Sequence, residues 1–126
     1  MRDVQKIDGD DREVIAAKRI YDPPAESDGT RVLIMRLWPR GIRKSRVDLW
    51  LKELGPVLPL LRAFRAGEVD WAEYTRRYLE GLGRAEAQAP LATVRDAAKD
   101  GRVTLFCGCA DEARCHRSLL RAHLLD

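Results

Sequence analysis

The stretch Arg31–Trp38 reads Arg-Val-Leu-Ile-Met-Arg-Leu-Trp and is stopped by Pro39 and Gly41. A nearly continuous apolar run of this length is typical of a strand that is covered on both faces. Val103–Cys107 predicts a second buried strand, and the chain between the two is long and rich in helical patterns. Such connections usually join parallel strands, so we expect both strands to end at the same edge of one sheet.

The rest of the chain supplies the other layers of this sheet. Val14–Tyr21 predicts a first strand, which the two prolines after Asp22 end. Apolar spacing and capping residues predict helices from Ser45 through Leu54, Pro59 to Phe64, Asp70 through Leu82, Pro90 to Ala98 and Ala113 to Leu125. The expected fold is α/β: a small, mostly parallel sheet of about three to four strands covered by helices. Residues 14–126 form the single domain, and the acidic residues 1–13 are expected to be a mobile N-terminal arm.

Length and composition restrict the class of protein. The 126 residues suit one domain, and the net charge of +3 does not by itself indicate a nucleic-acid partner. There is no apolar run of about 18 residues and no apolar signal core, so we expect no membrane partner and a cytoplasmic location. Three cysteines within residues 107–115 do not resemble a secreted disulfide framework. The sequence does not specify an oligomeric state.

The first candidate binding segment is Arg31–Arg46, which carries six basic residues and no acidic one. Within it, Trp38 lies beside Arg40 at the predicted end of a strand. Arginine together with an aromatic ring is a common arrangement for binding phosphates and stacking bases. We therefore predict Arg36, Trp38 and Arg40 as ligand-binding residues. The alternative is a solvated loop that Trp38 anchors in the core.

The second candidate segment is Cys107–Arg117. Gly108 would let the backbone turn off the strand, and Asp111 or Glu112 would cap the closing helix. Cys115 and His116 would then lie near the helix N-terminus, where anions and thiolates are stabilised. These two are the candidate catalytic residues, and Arg117 is a further candidate ligand-binding residue.

Other interpretations of the same cysteines remain open. Cys115 could be an activated nucleophile, although the segment has neither a phosphatase-like Cys-to-Arg spacing nor a Cys-x-x-Cys pair. Three cysteines and one histidine would satisfy a structural zinc ion, but zinc sites more often place two or more residues between paired cysteines than Cys107 and Cys109 do. Buried free cysteines also behave as small apolar residues. We therefore predict no metal ligand and no cofactor.

Several motifs resemble the YeaO-like family, also called domain of unknown function 488. They are Lys18–Pro23, Asp28-Gly29, Arg36–Gly41, Trp50–Leu54, the helix with Trp71 and Arg77-Tyr78, and Val103–Leu105. The resemblance covers nearly everything from Lys18 to the C-terminus, and it implies no specific reaction. This chain has Met35 where family members usually have an aspartate, so no carboxylate chemistry is available there. It also has Cys115-His116 where many members have Asn-His, which is similar to a Cys-His-Arg branch of the family.

The favoured hypothesis is a protein that binds a phosphate-containing, anionic ligand at the sheet edge formed by the Trp38–Gly41 and Cys107–Arg117 loops. One alternative is a thiol-dependent enzyme that uses Cys115 and His116. Another is a nucleic-acid-binding module that uses the basic segment.

Overall fold

The computed structural model describes residues 14–126, and the predicted N-terminal arm, residues 1–13, lies outside the described residues. This part of the chain has four strands and four helices, in the order three strands, three helices, a strand and a helix, with short 3-10 turns between some of them. The strands are β1 (Ile15–Arg19), β2 (Thr30–Leu33), β3 (Leu49–Trp50) and β4 (Val103–Cys107). The helices are α1 (Leu58–Arg65), α2 (Trp71–Leu82), α3 (Ala85–Asp100) and α4 (His116–Leu125). None of these helices is both long enough and apolar enough to cross a membrane.

The strands form one sheet in the order β1-β4-β2-β3, and every neighbouring pair is parallel. Val103 at the start of β4 lies opposite Ile15 on one side and Thr30 on the other. This confirms the prediction of a small parallel sheet with helices. Because the strands run in one direction, β1, β2 and β4 all end at the same edge, which we call the carboxyl edge.

Residues of the two central strands alternate between two hydrophobic clusters. Val32 and Leu105 belong to the larger cluster, which packs against the helices. Leu33 and Phe106 point the other way into a smaller cluster that includes Trp38, Ile42 and Val47. The period of two is that of a strand, so one face of the sheet is covered by helices and the other by the loop after β2. The apolar run predicted as one strand, Arg31–Trp38, is a strand only as far as Leu33, and its buried residues Val32 and Leu33 face opposite clusters.

The helix predicted from Ser45 through Leu54 is wrong. The structure has a 3-10 turn at Lys44–Arg46, the short strand β3 and a second 3-10 turn at Lys52–Leu54. The reason is tertiary pairing: the Leu51 amide donates to the Leu33 carbonyl at 2.9 Å and the Asp48 amide donates to the Arg31 carbonyl at 2.9 Å. Hydrogen bonds to β2 outweigh the weak local preference for a helix.

The helix predicted to open at Pro90 begins instead at Ala85, which places Pro90 inside α3. A proline there has no amide hydrogen to donate to the carbonyl of Glu86, one turn earlier. Glu86 lies on the exposed side of the helix, where water can satisfy that carbonyl. The helix tolerates this position because the cost falls on its solvated face.

The closing helix also begins later than predicted, at His116 instead of Ala113. The Asp111 side chain accepts from the Ala113 amide at 3.0 Å, so it caps a 3-10 turn over Glu112–Arg114 and not the helix. Cys115 is extended and is the N-cap residue of α4. Gly108 does not take a positive φ, and it instead lies against Met35, where an added Cβ would make ordinary van der Waals contact.

A buried carboxylate joins the start of β2 to its neighbours. Asp28 is 3% exposed, accepts from Lys18 Nζ at 2.8 Å, and its backbone carbonyl accepts from Thr104 Oγ1 at 2.7 Å. Burial alone would raise the pKa of Asp28, but the hydrogen bonds from Lys18 and the Ala25 amide outweigh it and hold the pKa below its usual value. The charged carboxylate is therefore the form that the fold stabilises.

We expect Asp28→Asn to lower the free energy of unfolding at neutral pH by about 1–3 kcal/mol, because it removes a charge-assisted hydrogen bond from a buried group. The pKa of Asp28 is lower in the folded chain than in the unfolded one, so its contribution is complete above the unfolded value of about 4 and disappears as the pH falls toward the folded value. Denaturant titrations across this pH range should show that the difference in the free energy of unfolding between wild type and variant decreases in acid. Asp96→Asn, at a carboxylate that is 74% exposed, is the control. A difference in the free energy of unfolding that stays constant with pH would contradict a charged, buried Asp28.

Candidate functional site

A cavity of about 320 Å³ opens at the carboxyl edge. Its walls come from the ends of three strands, since Tyr21 follows β1, Met35 follows β2, and Cys107 ends β4. The structure brings the two predicted loops together here: Trp38 and Arg40 line it from one loop, and Cys107–Cys109 from the other. Helix α1 closes a further side through Leu58, Leu61 and Arg65.

The charged residues that line this cavity are all arginines: Arg36, Arg40 and Arg65. Arg36 is fixed by its Nε, which donates to the Gly55 carbonyl at 3.1 Å, and by its Nη2, which donates to the Glu53 carbonyl at 3.4 Å. Arg40 and Arg65 have exposed side chains. Three cations without a carboxylate among the lining residues favour an anion in this space.

Trp38 is anchored and does not swing freely. Its Nε1 donates to the Ile42 carbonyl at 2.8 Å, and its ring meets the edge of Trp50 at 5.4 Å between centroids. Trp50 is held in turn by its Nε1, which donates to the Met35 carbonyl at 2.7 Å. Trp38 is therefore consistent with both interpretations from the sequence, because it packs in the core and also forms part of the cavity wall.

Four side chains with metal-ligating or nucleophilic atoms converge at the inner end of the cavity. The sulfur atoms of Cys107, Cys109 and Cys115, together with a ring nitrogen of His116, all lie within 4.8 Å of one another. Cys107 Sγ is 3.4 Å from Cys109 Sγ and 3.7 Å from His116 Nδ1, and Cys115 Sγ is 3.9 Å from that nitrogen. We call these four residues the Cys/His cluster. They are the group in the described chain that could hold a metal ion through sulfur and nitrogen.

His116 is held in one orientation. Its Nε2 lies 2.5 Å from the Ile34 carbonyl, an atom that can only accept, so Nε2 carries the hydrogen and Nδ1 faces the sulfurs. The ring also packs edge-on against Tyr78 at 5.5 Å. Burial lowers the pKa of His116, but hydrogen bonds with the thiols of Cys109 and Cys115 outweigh it and raise the pKa to about 9.

The three thiols are not equivalent. Hydrogen bonds from Cys107 and Cys109 lower the pKa of Cys115, and the hydrogen bond with Cys109 raises that of Cys107. Such a cluster favours a thiolate on Cys115 that its neighbours stabilise. Cys115 is only 1% exposed and does not line the cavity, whereas Cys109 is half-buried and does.

Arg117 lies behind the Cys/His cluster and not in the cavity. It is 3% exposed, and its Nη1 donates to the Cys109 carbonyl at 2.7 Å and to Cys115 Sγ at 3.5 Å. Within residues 14–126, no carboxylate forms an ion pair with it. The structure thus places the predicted Arg36, Trp38, Arg40 and His116 at the cavity, and Cys115 and Arg117 one layer further in.

Sequence reasoning missed two parts of the site. Tyr21 follows the first strand, so its position at the carboxyl edge could have been inferred once that strand was taken as parallel. Its hydroxyl donates to the Arg40 carbonyl at 3.0 Å and so connects two walls of the cavity. Arg65 ends α1, and no local signal distinguishes it from Arg62, the other arginine of that helix, because only the packing of α1 brings Arg65 to the cavity.

A second cavity, of about 310 Å³, lies between α2 and the segment after β3. It is lined by acidic as well as basic side chains, among them Glu53, Glu80, Arg76 and Arg84. Because both signs of charge are present, this cavity has no clear preference for an anion or a cation. It is the weaker candidate.

The similarity of this chain to known proteins covers almost all of the described residues. Residues 15–126 match the family model DUF488-N3a, described as the active DUF488-N3 subclade. The uncharacterized protein YeaO of Escherichia coli (strain K12) is 38% identical over 108 residues, which are 84% of this chain and 92% of YeaO. The uncharacterized protein Rv3073c of Mycobacterium tuberculosis is 33% identical over 114 residues, 89% of this chain and 93% of that protein. No solved structure matches the chain. The chain is therefore a member of the YeaO-like DUF488 family.

Proposed function

We propose that the cavity at the carboxyl edge binds a small molecule that carries a phosphate or similar anionic group beside an apolar portion. The observation that carries this proposal is the lining of one concave site by Arg36, Arg40 and Arg65 without a carboxylate. Parallel α/β sheets commonly bind ligands at this edge. Arginine is well suited to phosphate because its planar donors bind two oxygens at once.

The apolar portion of the ligand is inferred from the other walls. Leu37 is 61% exposed and Tyr21 is 44% exposed, and both line the cavity. Apolar side chains that remain this exposed at a concave site gain free energy when a ligand covers them. Trp38, Leu58 and Leu61 extend the same apolar surface.

The two alternatives have less support from the geometry. A nucleophilic Cys115 would need contact with substrate, yet Cys115 is buried behind the cavity wall. A nucleic-acid-binding module would use the exposed Arg43 and Lys44 together with Arg40, but those two residues do not line the cavity. Ligand binding to matched arginine variants distinguishes both alternatives from the proposal.

We expect members of a panel of phosphate monoesters with apolar or aromatic bodies, adenosine 5′-monophosphate included, to raise the thermal midpoint, while their neutral parent alcohols do not. Arg40→Gln should weaken binding of the best ester by about tenfold or more, the usual loss for one charge-assisted hydrogen bond. Arg43→Gln is the matched control, because it lies in the same loop but outside the cavity. Calorimetric titration gives the affinities.

Three outcomes would contradict the proposal. If no ester shifts the midpoint, the cavity does not recognise this class. If Arg40→Gln and Arg43→Gln weaken binding equally, with a steep dependence on salt, a nucleic-acid surface is the better explanation. If iodoacetamide modifies Cys115 faster than an ordinary thiol and an ester protects it, Cys115 contacts the ligand and the enzyme alternative gains support.

A further inference from the structure

We propose that Cys107, Cys109, Cys115 and His116 bind one Zn²⁺ ion. This inference does not depend on the anionic ligand, because it concerns atoms at the inner end of the cavity and beyond its wall. The sequence alone argued against zinc on the spacing of the first two cysteines. The positions of the four side chains in the folded structure favour a zinc site.

The spacing of the four ligand atoms suits a tetrahedral ion. Zinc bonds of about 2.3 Å to sulfur and about 2.0–2.1 Å to nitrogen place tetrahedral ligand atoms roughly 3.5–3.8 Å apart. Three of the six pairs of ligand atoms, at 3.4, 3.7 and 3.9 Å, lie close to this value, and no pair is more than 4.8 Å apart. Only small side-chain rotations are therefore needed to complete the coordination.

The Cys-x-Cys spacing works here because the first cysteine ends a strand. The chain leaves β4 directly after Cys107 and brings Cys109 Sγ to 3.4 Å from Cys107 Sγ. Cys107 and Cys109 thus present their sulfurs together, with Gly108 between them packed against Met35. The other two ligands, Cys115 and His116, come from the start of α4. An ion bound by all four would fasten the last helix to the central strand.

The orientation of His116 is the second observation that points to a metal. Metal-binding histidines commonly donate their other ring N–H to a backbone carbonyl, which fixes the tautomer. The hydrogen bond from Nε2 to the Ile34 carbonyl does this and leaves Nδ1 directed at the sulfurs of Cys107 and Cys115. The ligand nitrogen is thus already oriented toward the other ligand atoms, and a bound cation would displace its proton.

The third observation is the unpaired charge of Arg117. A buried arginine requires an anion, and the described residues supply no carboxylate, whereas Cys115 Sγ accepts from its Nη1. Three thiolates and one Zn²⁺ leave a net charge of −1, which the guanidinium neutralises. The donor set of sulfur and imidazole also selects against Mg²⁺ and Ca²⁺, which prefer oxygen.

The protein should be purified without chelators and without a metal-affinity column. Atomic spectrometry should then find about one zinc ion per molecule. Native thiol titration should then detect almost no reactive cysteine, and all three after the metal is stripped. Adding Co²⁺ to the stripped chain should produce the visible absorption of a tetrahedral site with thiolate charge transfer. Loss of a residue that only supports a metal ligand lowers metal affinity by at most roughly 100-fold. Cys109→Ser, at a half-buried position, removes a ligand itself and should lower zinc affinity by more than that.

The control is His123→Asn, the other histidine of α4, which is outside the Cys/His cluster and should keep one zinc. Circular dichroism shows whether each variant has folded, and the Co²⁺ spectrum of the wild-type chain tests the site without any substitution. Less than about one tenth of a zinc per chain together with no Co²⁺ spectrum would overturn the proposal, as would a Cys107–Cys109 disulfide in its place. Stoichiometric zinc retained in Cys109→Ser, or iron in place of zinc, would also overturn it.

The two proposals fail separately. Arg40→Gln should weaken ester binding and leave the zinc content unchanged. A chain that binds zinc but no ester loses only the ligand proposal, and a chain that binds an ester without zinc loses only the metal site.

Discussion

Replacing Gly29 with alanine should lower the free energy of unfolding by about 4 kcal/mol or more, which would leave little folded protein at physiological temperature. Gly29 has φ of 66° and ψ of −138°, a conformation close to one that glycine alone adopts readily and that costs a residue with a Cβ about 1–3 kcal/mol. In addition, a Cβ at this position would lie 2.1 Å from the carbonyl oxygen of Arg102. That carbonyl is part of the backbone and accepts from the Thr30 amide at 2.9 Å, so it cannot move without breaking the pairing of β2 with β4.

Gly67→Ala is the matched control for this prediction. Gly67 has φ of 77°, but nothing lies within 4 Å of the position that an added Cβ would take. The substitution should cost only the conformational penalty of about 1–2 kcal/mol. Urea denaturation of both variants measures the difference, and equal losses would show that the approach of Gly29 to Arg102 is not a constraint on the fold.

The second large effect is expected at Arg117. Arg117→Met should lower the free energy of unfolding by about 3 kcal/mol or more, because it removes the buried cation that hydrogen bonds to Cys115 Sγ and that would balance the net charge of the zinc-bound Cys/His cluster. The side chain is 3% exposed and hydrogen bonds to both the Cys109 carbonyl and Cys115 Sγ, so the loss also leaves a buried carbonyl without its donor. Denaturant titration of both proteins, after their metal content has been measured, tests this prediction directly.

Arg114→Met provides the control, since Arg114 is exposed on the neighbouring 3-10 turn and should change stability by less than about 0.5 kcal/mol. The sign of the Arg117 result is itself informative. If Arg117→Met is neutral or stabilising, the thiols are protonated around the guanidinium, and both the thiolate on Cys115 and the zinc proposal lose their electrostatic support.

The metal site and the ligand cavity share residues, which has a consequence for ligand binding. Cys107, Cys109 and His116 belong to both. An ion that holds these three side chains would make the inner wall of the cavity rigid before a ligand arrives, and preorganised sites lose less entropy on binding. The arginines on the opposite walls are carried by other elements and do not depend on the ion.

The local sequence pattern is sufficient to predict those elements that apolar periodicity or a helix-capping residue marks clearly. The apolar runs of β2 and β4 predict two buried parallel strands, and Asp70 is the cap of α2 as predicted, since its side chain accepts from the Glu73 amide at 2.8 Å. Prediction fails where long-range contacts decide. β3 is two residues long, and only its hydrogen bonds to β2 make it a strand.

The sequence by itself determined the parallel α/β architecture, the family, and the two segments that would carry any function, because apolar periodicity and motif order are local properties of the chain. Only the tertiary structure decided which side chains meet. Cys107 and Cys115 are eight positions apart along the chain, and the directions of a strand end and a helix start bring their thiols to the same histidine. Arg65 and Arg40 line one cavity for the same reason: packing of α1 against the carboxyl edge, which no residue pattern specifies, sets their distance.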